Sequence, residues 1–128
     1  MAAARAPTAG GGCAVTPTSL EVTRPAPGLA VIEVAGRFDA PVALEVRRAI
    51  DTFAVGGVDT AVVDLTEATF VDSAGLAAVV HAHRVCESVG GTAVVCEPRS
   101  ADARRVFELT MLDRVLRMVA VRSAGDAG

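Results

Sequence analysis

The stretch Asp72-Ser73-Ala74-Gly75-Leu76 has the residue types and spacing most able to carry chemistry. It stands a short loop beyond the apolar run Val62-Val63-Asp64-Leu65 and opens a segment of helical periodicity. A serine at the mouth of a helix, behind an aspartate and ahead of small residues, is within reach of another protein. A phosphate on it adds close to two negative charges at one point. That arrangement suits a switch better than a catalyst, because the partners of a nucleophilic serine are missing. The flanking residues do not form the Gly-x-Ser-x-Gly elbow of hydrolases. His81 and His83 follow on the same helix, roughly 12–15 Å along its axis from Ser73, whereas a base must approach to about 3 Å.

Other chemistries fail on spacing. His81 and His83, two apart on a helix, point in divergent directions, and no cysteine or carboxylate completes a metal set. Gly10-Gly11-Gly12 lies in a low-complexity segment, and Gly90-Gly91 follows a helix instead of preceding one, so neither cradles a nucleotide phosphate. Cys13, Cys86 and Cys96 are an odd set at no metal or redox spacing. They read as a tail thiol and two small buried side chains in a reducing compartment, with an oxidant-sensing thiol as the alternative. Asp39, Asp64, Asp72 and Ser73 remain. If the strands ending at Gly36 and Leu65 are neighbours, their C-terminal ends share one sheet edge, where sites gather in open α/β folds. The plain alternative makes Asp39 and Ser73 helix N-caps, a role that still leaves a serine exposed.

Composition narrows the classes further. The chain of 128 residues is 52% hydrophobic, enough for one domain with a single core. With four Phe and neither Trp nor Tyr it lacks stacking platforms for single-stranded nucleic acid. A net charge of −3 argues against a general nucleic-acid grip. All 12 basic residues are Arg, which excludes a catalytic, Schiff-base or phosphate-loop lysine. No apolar run reaches the length of a membrane span, and the N-terminal residues lack the apolar core of a secretory signal. A soluble, cytoplasmic protein is expected.

The elements that must position these residues follow from periodicity. Residues 1–18 are mostly Ala, Gly, Thr and Pro with little to bury and are expected to be a flexible tail, as are residues 123–128. Residues 20–24 alternate as a half-buried strand, a Pro/Gly turn follows, and residues 29–35 form a second strand antiparallel to it. Asp39-Ala40-Pro41 reads as a helix start, with Val42, Val46, Ala49, Ile50 and Phe53 on one stripe. Residues 60–65 and 92–96 read as buried strands. Between them, residues 73–89 form a helix with Leu76, Val79, Val80, His83 and Cys86 on one side and Gly90-Gly91 as its stop. Residues 100–109 form a third helix burying Ala103, Val106 and Phe107, and residues 115–121 a last strand or extended segment. Right-handed crossovers make the later strands parallel. The expected fold is an α/β sandwich with a mixed sheet of four or five strands and helices mainly on one face.

Val63-Asp64-Leu65-Thr66, Phe70-Val71-Asp72-Ser73-Ala74-Gly75-Leu76, Gly90-Gly91 and Val94-Val95 together resemble the STAS domain, and in particular the stand-alone bacterial anti-sigma factor antagonists. Gly36-x-Phe38-Asp39-Ala40-Pro41 is similar to the family's other signature, and residues 106–116 to its last helix and exit. The resemblance covers about residues 18–122 and sets the expected domain at residues 19–122. It implies a protein that catalyses nothing and carries no cofactor. Such a protein binds an anti-sigma factor that is also a serine kinase, and so frees a sigma factor for transcription. The kinase, supplying ATP, phosphorylates the serine after the aspartate, here Ser73, and lets go. A PP2C-type phosphatase resets the switch. Asp39 and Asp72 match positions on the kinase-facing surface, with Ala74, Gly75 and Leu76 completing the partner-binding element. The alternative within the family is a scaffold subunit of a larger assembly, such as a stress-sensing complex or a lipid-transport ATPase, in which Ser73 is only a cap. Two departures stand out. Ala74 replaces a second hydroxyl, leaving Ser73 the sole acceptor in the motif, and Met111 stands where relatives often have Gly.

Overall fold

The runs of period two and period 3.6 fold into one sheet with helices above it. The computed structural model describes residues 18–120; Cys13 and both expected tails, Thr18 apart, lie outside the described residues. An antiparallel hairpin comes first: β1 (Ser19–Ala26) and β2 (Leu29–Phe38), turned at Gly28 with φ 79°. There follow α1 (Ala40–Val55), β3 (Thr60–Asp64), β4 (Ala68–Val71), α2 (Ser73–Ser88), β5 (Thr92–Cys96), α3 (Ala101–Leu109), a single 3-10 turn (Leu112–Arg114) and β6 (Arg117–Val119). The strand order is β1-β2-β3-β5-β6, with β4 paired to the far end of β2. Every pairing except β1 with β2 is parallel.

Alternation divides the sheet into two faces. Ile32, Val63 and Val95 stand in register, fully buried beneath the helices. Val31, Val62 and Val94 form the neighbouring row on the opposite face and are only half-buried. The helices add Val46, Ile50, Val79, Ala82 and Phe107 to the same core as Ile32 and Phe38. Each large side chain so buried contributes roughly 1.5–3 kcal/mol by transfer from water.

The sheet has six strands, one more than the sequence pattern indicated. The addition is β4, inside what reads as a loop. Asp64 makes it fit: its Oδ1 accepts from the Thr66 amide at 3.0 Å and the Thr66 hydroxyl at 2.5 Å, a tight turn closed by the Ala68 amide donating to the Leu65 carbonyl at 2.9 Å. The buried stripes also differ from the expected ones. On α2, Gly75, Ala78, Val79, Ala82 and Cys86 face the core, while Leu76, Val80 and His83 are half-buried. Close approach of α2 to the sheet selects its small residues for the interior. On α1 the buried set is Ala43, Val46, Ile50 and Phe53, with Val42 and Ala49 partly covered. Val106 of α3 is likewise half-buried.

Met111 ends the last helix in the left-handed region, φ 61°. A side chain there costs about 1–2 kcal/mol relative to the right-handed form, a strain glycine escapes. Met111→Gly is therefore expected to raise the unfolding free energy by about 0.5–1 kcal/mol, part of the relief being offset by the freer unfolded chain. Urea denaturation reads this directly; a loss of stability contradicts it.

Candidate functional site

Two parallel strands deliver two helix starts side by side. Arg37 and Phe38 of β2 pair with Phe70 and Val71 of β4, so Asp39 and Asp72 leave the sheet at the same level. Both have extended backbone, φ −113° and ψ −169° at Asp39 against φ −104° and ψ −173° at Asp72. The Asp72 amide donates to the Phe38 carbonyl at 3.3 Å, tying the two departures together. The N-termini of α1 and α2, each the positive end of a helix dipole, thus lie next to one another.

The caps differ from the sequence expectation. Asp72, not Ser73, caps α2: its Oδ1 accepts from the Gly75 amide at 2.9 Å. Ser73 is the first helical residue and is exposed, and among the described residues nothing bonds to its hydroxyl. Asp39 occupies the capping position of α1, yet its carboxylate accepts no capping bond. Pro41 removes one of the amides such a bond uses. Asp39 Oδ2 instead lies 3.5 Å from Arg37 Nε, and the Arg37 guanidinium stacks over the Phe70 ring at 4.2 Å.

The following residues of the motif are set by packing. Ala74 and Leu76 are partly buried against the core. Gly75 is buried where α2 crosses the end of β2, and a Cβ on it would meet the Phe38 carbonyl oxygen at 2.6 Å. Alanine normally improves a helix by about 1 kcal/mol over glycine. Here the sign reverses: Gly75→Ala is expected to cost about 1–3 kcal/mol by overpacking, read as a lower midpoint in thermal unfolding. An unchanged or higher midpoint contradicts the packing.

Beside Ser73 an open groove of about 430 Å³ runs between α1 and α2, lined by Arg47, Ser73, Leu76, Val80, His81 and Arg84. Arg47 and Arg84 carried no signal in the sequence, because nothing local to either relates it to the serine motif. The stacking of Arg37 on Phe70 is likewise not legible in the sequence, because it depends on the pairing of β2 with β4. The histidines are engaged elsewhere: His81 Nε2 lies 2.7 Å from Asp51 Oδ1, bridging α2 to α1, and His83 Nε2 lies 3.5 Å from Glu87 Oε2. Asp64 is occupied by its turn and does not join the cluster. Among the described residues no group of three or more His, Cys, Asp and Glu could hold a metal ion. No helix among them is long and apolar enough to cross a membrane.

The two described thiols are buried and unpaired. Burial pushes the Cys86 thiol above its ordinary value, with a backbone hydrogen bond at Ala61 opposing and the charge of Asp59 reinforcing the rise. Burial does the same at Cys96, helped by Asp64. Both effects suppress the reactive thiolate. Cys86 and Cys96 are expected to alkylate with iodoacetamide at least about tenfold more slowly in the folded chain than in guanidinium, measured by peptide mass spectrometry. Equal rates contradict this.

A parallel β2–β4 pair feeding adjacent helix starts, with Asp-Ser-x-Gly on the second, coincides with a family model. The model for the STAS domain matches residues 21–124. The chain belongs to the STAS domain family. No curated relative shows significant sequence similarity to it. Several solved structures share its architecture. An anti-sigma factor antagonist from Mycobacterium paratuberculosis superposes with a TM-score of 0.69 at 24% identity, covering 82% of this chain and 87% of that one. The Bacillus cell fate determinant SpoIIAA in its phosphorylated form gives 0.67 at 25% identity, covering 84% and 95%. Unphosphorylated SpoIIAA, described as an anti-sigma factor antagonist, gives 0.65 at 24%, covering 80% and 88%.

Proposed function

We propose that this STAS domain is an anti-sigma factor antagonist switched off by phosphorylation at Ser73. The observation that carries the reading is the exposed Ser73 hydroxyl, left uncommitted because Asp72 caps α2 in its place. The likeness to antagonists, one of them solved in a phosphorylated form, supports it. In this reading residues 19–122 bind an anti-sigma factor serine kinase through Asp39, Asp72, Ser73, Ala74, Gly75 and Leu76, and the sigma factor is set free. The kinase moves the γ-phosphoryl of its ATP to Ser73 Oγ; ADP leaves and the hydroxyl proton passes to the kinase. The modified chain dissociates until a PP2C-type phosphatase hydrolyses the phosphate ester. The chain itself catalyses nothing, touches no nucleic acid and acts in the cytoplasm.

The test is displacement. The unmodified chain is titrated into complexes of sigma factors with anti-sigma kinases from the same cell, and free sigma factor is followed by size-exclusion chromatography. Release from one of these complexes, lost on incubation with ATP, is the expected result. Sigma factor that stays bound in every complex overturns the reading.

A further inference from the structure

We propose that Arg47 receives the phosphate on Ser73, so that the modified serine closes one end of the α1–α2 groove with an ion pair. This rests on the reading of Ser73 as a phosphorylated switch and says how the modified state is held.

Arg47 and Ser73 line the same groove from opposite helices. Their relative height follows from the contact that joins the two helices lower down. α1 and α2 each leave the C-terminal end of one of two paired parallel strands and return to another parallel strand, so they run in the same direction. Asp51 of α1 touches His81 of α2 at 2.7 Å, which fixes their offset. Arg47 stands one turn before Asp51, about 6 Å toward the N-termini; Ser73 stands eight residues before His81, about 12 Å in the same sense. The Arg47 backbone therefore lies about 6 Å below Ser73 along the groove. Long side chains on a helix lean toward its N-terminus, which sends the guanidinium up toward the serine.

Arg47 is also the cation left available. It is exposed and, among the described residues, makes no ion pair. Arg37 is engaged by Asp39 at 3.5 Å and by the Phe70 ring, and Arg48 by Glu45 at 3.7 Å. Arg84 lies about 16 Å beyond Ser73 on the same helix, too far to reach it. A guanidinium grips a phosphate with two parallel N–H donors, a stronger contact than a lone ammonium makes. The neighbouring carboxylates have partners already: Asp72 is held by the Gly75 amide and Asp39 faces Arg37. Arg47 thus has two states. In the unmodified chain it is free to meet an acidic group of the partner. In the modified chain it is folded onto the phosphate and withdrawn. Phosphorylation then removes a cation from the docking face as well as adding an anion.

The experiment needs no kinase. The full chain is made with phosphoserine at position 73, and its second phosphate ionisation is followed by 31P NMR against pH, ordinarily near 6. A neighbouring cation favours the doubly charged form and lowers this value, and the α2 N-terminus acts equally on every variant. Arg47→Gln is expected to raise the value by about half to one pH unit, while Arg84→Gln leaves it unchanged. Identical titrations for the wild type and Arg47→Gln, or an equal shift with Arg84→Gln, overturn the proposal. Since the readout involves no partner, capture can fail while sigma factor is still displaced, or succeed where displacement fails.

Discussion

Ser73→Ala is expected to hold the anti-sigma kinase with undiminished affinity whether or not ATP is present, and Ser73→Asp to bind it several hundredfold more weakly. The asymmetry follows from what the hydroxyl does in the fold, which is very little. It is exposed and has no partner among the described residues, so its removal is worth no more than about 0.5 kcal/mol of stability. An anion at the first turn of α2 is welcomed by the helix dipole, by about 0.3–1 kcal/mol at an exposed site. Both variants therefore fold. Against a docked partner the same anion is a misplaced charge, which costs several kcal/mol in a complementary interface. A loss of about 3–4 kcal/mol is several hundredfold in affinity. Titration calorimetry on both variants, with thermal melts as folding controls, reads the difference. Two variants that bind like the wild type would exclude Ser73 from the interface.

Gly91→Ala is expected to be strongly destabilising, at about 3–5 kcal/mol. A Cβ there would sit 1.8 Å from the Asp59 carbonyl oxygen and 2.6 Å from its carbon. The obstacle is backbone and cannot rotate away. That oxygen also accepts from the Thr92 amide at 2.8 Å, just where the β3–β5 register begins with Thr60 opposite Thr92. Relief must shift the path from α2 into β5 or break the ladder at its start. The adjacent Gly90 is a control. It holds φ 78°, but a Cβ on it meets nothing within 4 Å. Gly90→Ala should lose only about 1–2 kcal/mol, the strain of a left-handed residue. Urea denaturation of the two variants separates the causes; equal losses would mean that crowding at Gly91 is not the constraint.

The glycine pair illustrates how far the sequence could be read. Gly90-Gly91 was legible as a helix stop, while the division of labour between a turn glycine and a contact glycine required the third dimension. The long strands and all three helices were legible because their apolar residues keep period two or 3.6 over many residues. β4 was not, since its four residues are buried only at Ala68 and Val71, three apart, which breaks the alternation that marks a strand. Its absence from the pattern also hid the reason Asp39 and Asp72 are neighbours, although both were selected by residue type. Ser73 stood out from its local motif, but two adjacent cap-forming residues left the cap ambiguous, and the Gly75 contact resolves it in favour of Asp72. Arg47 could not have been found, because its relation to Ser73 passes through the packing of one helix on another.

The central claim is that Ser73 Oγ is the atom modified. Incubation of the chain with candidate anti-sigma kinases and ATP, followed by intact-mass and peptide mass spectrometry, tests it most directly. One phosphate per chain is expected, located on Ser73 and absent from Ser73→Ala. Phosphate on another residue, or undiminished incorporation into Ser73→Ala, would contradict it.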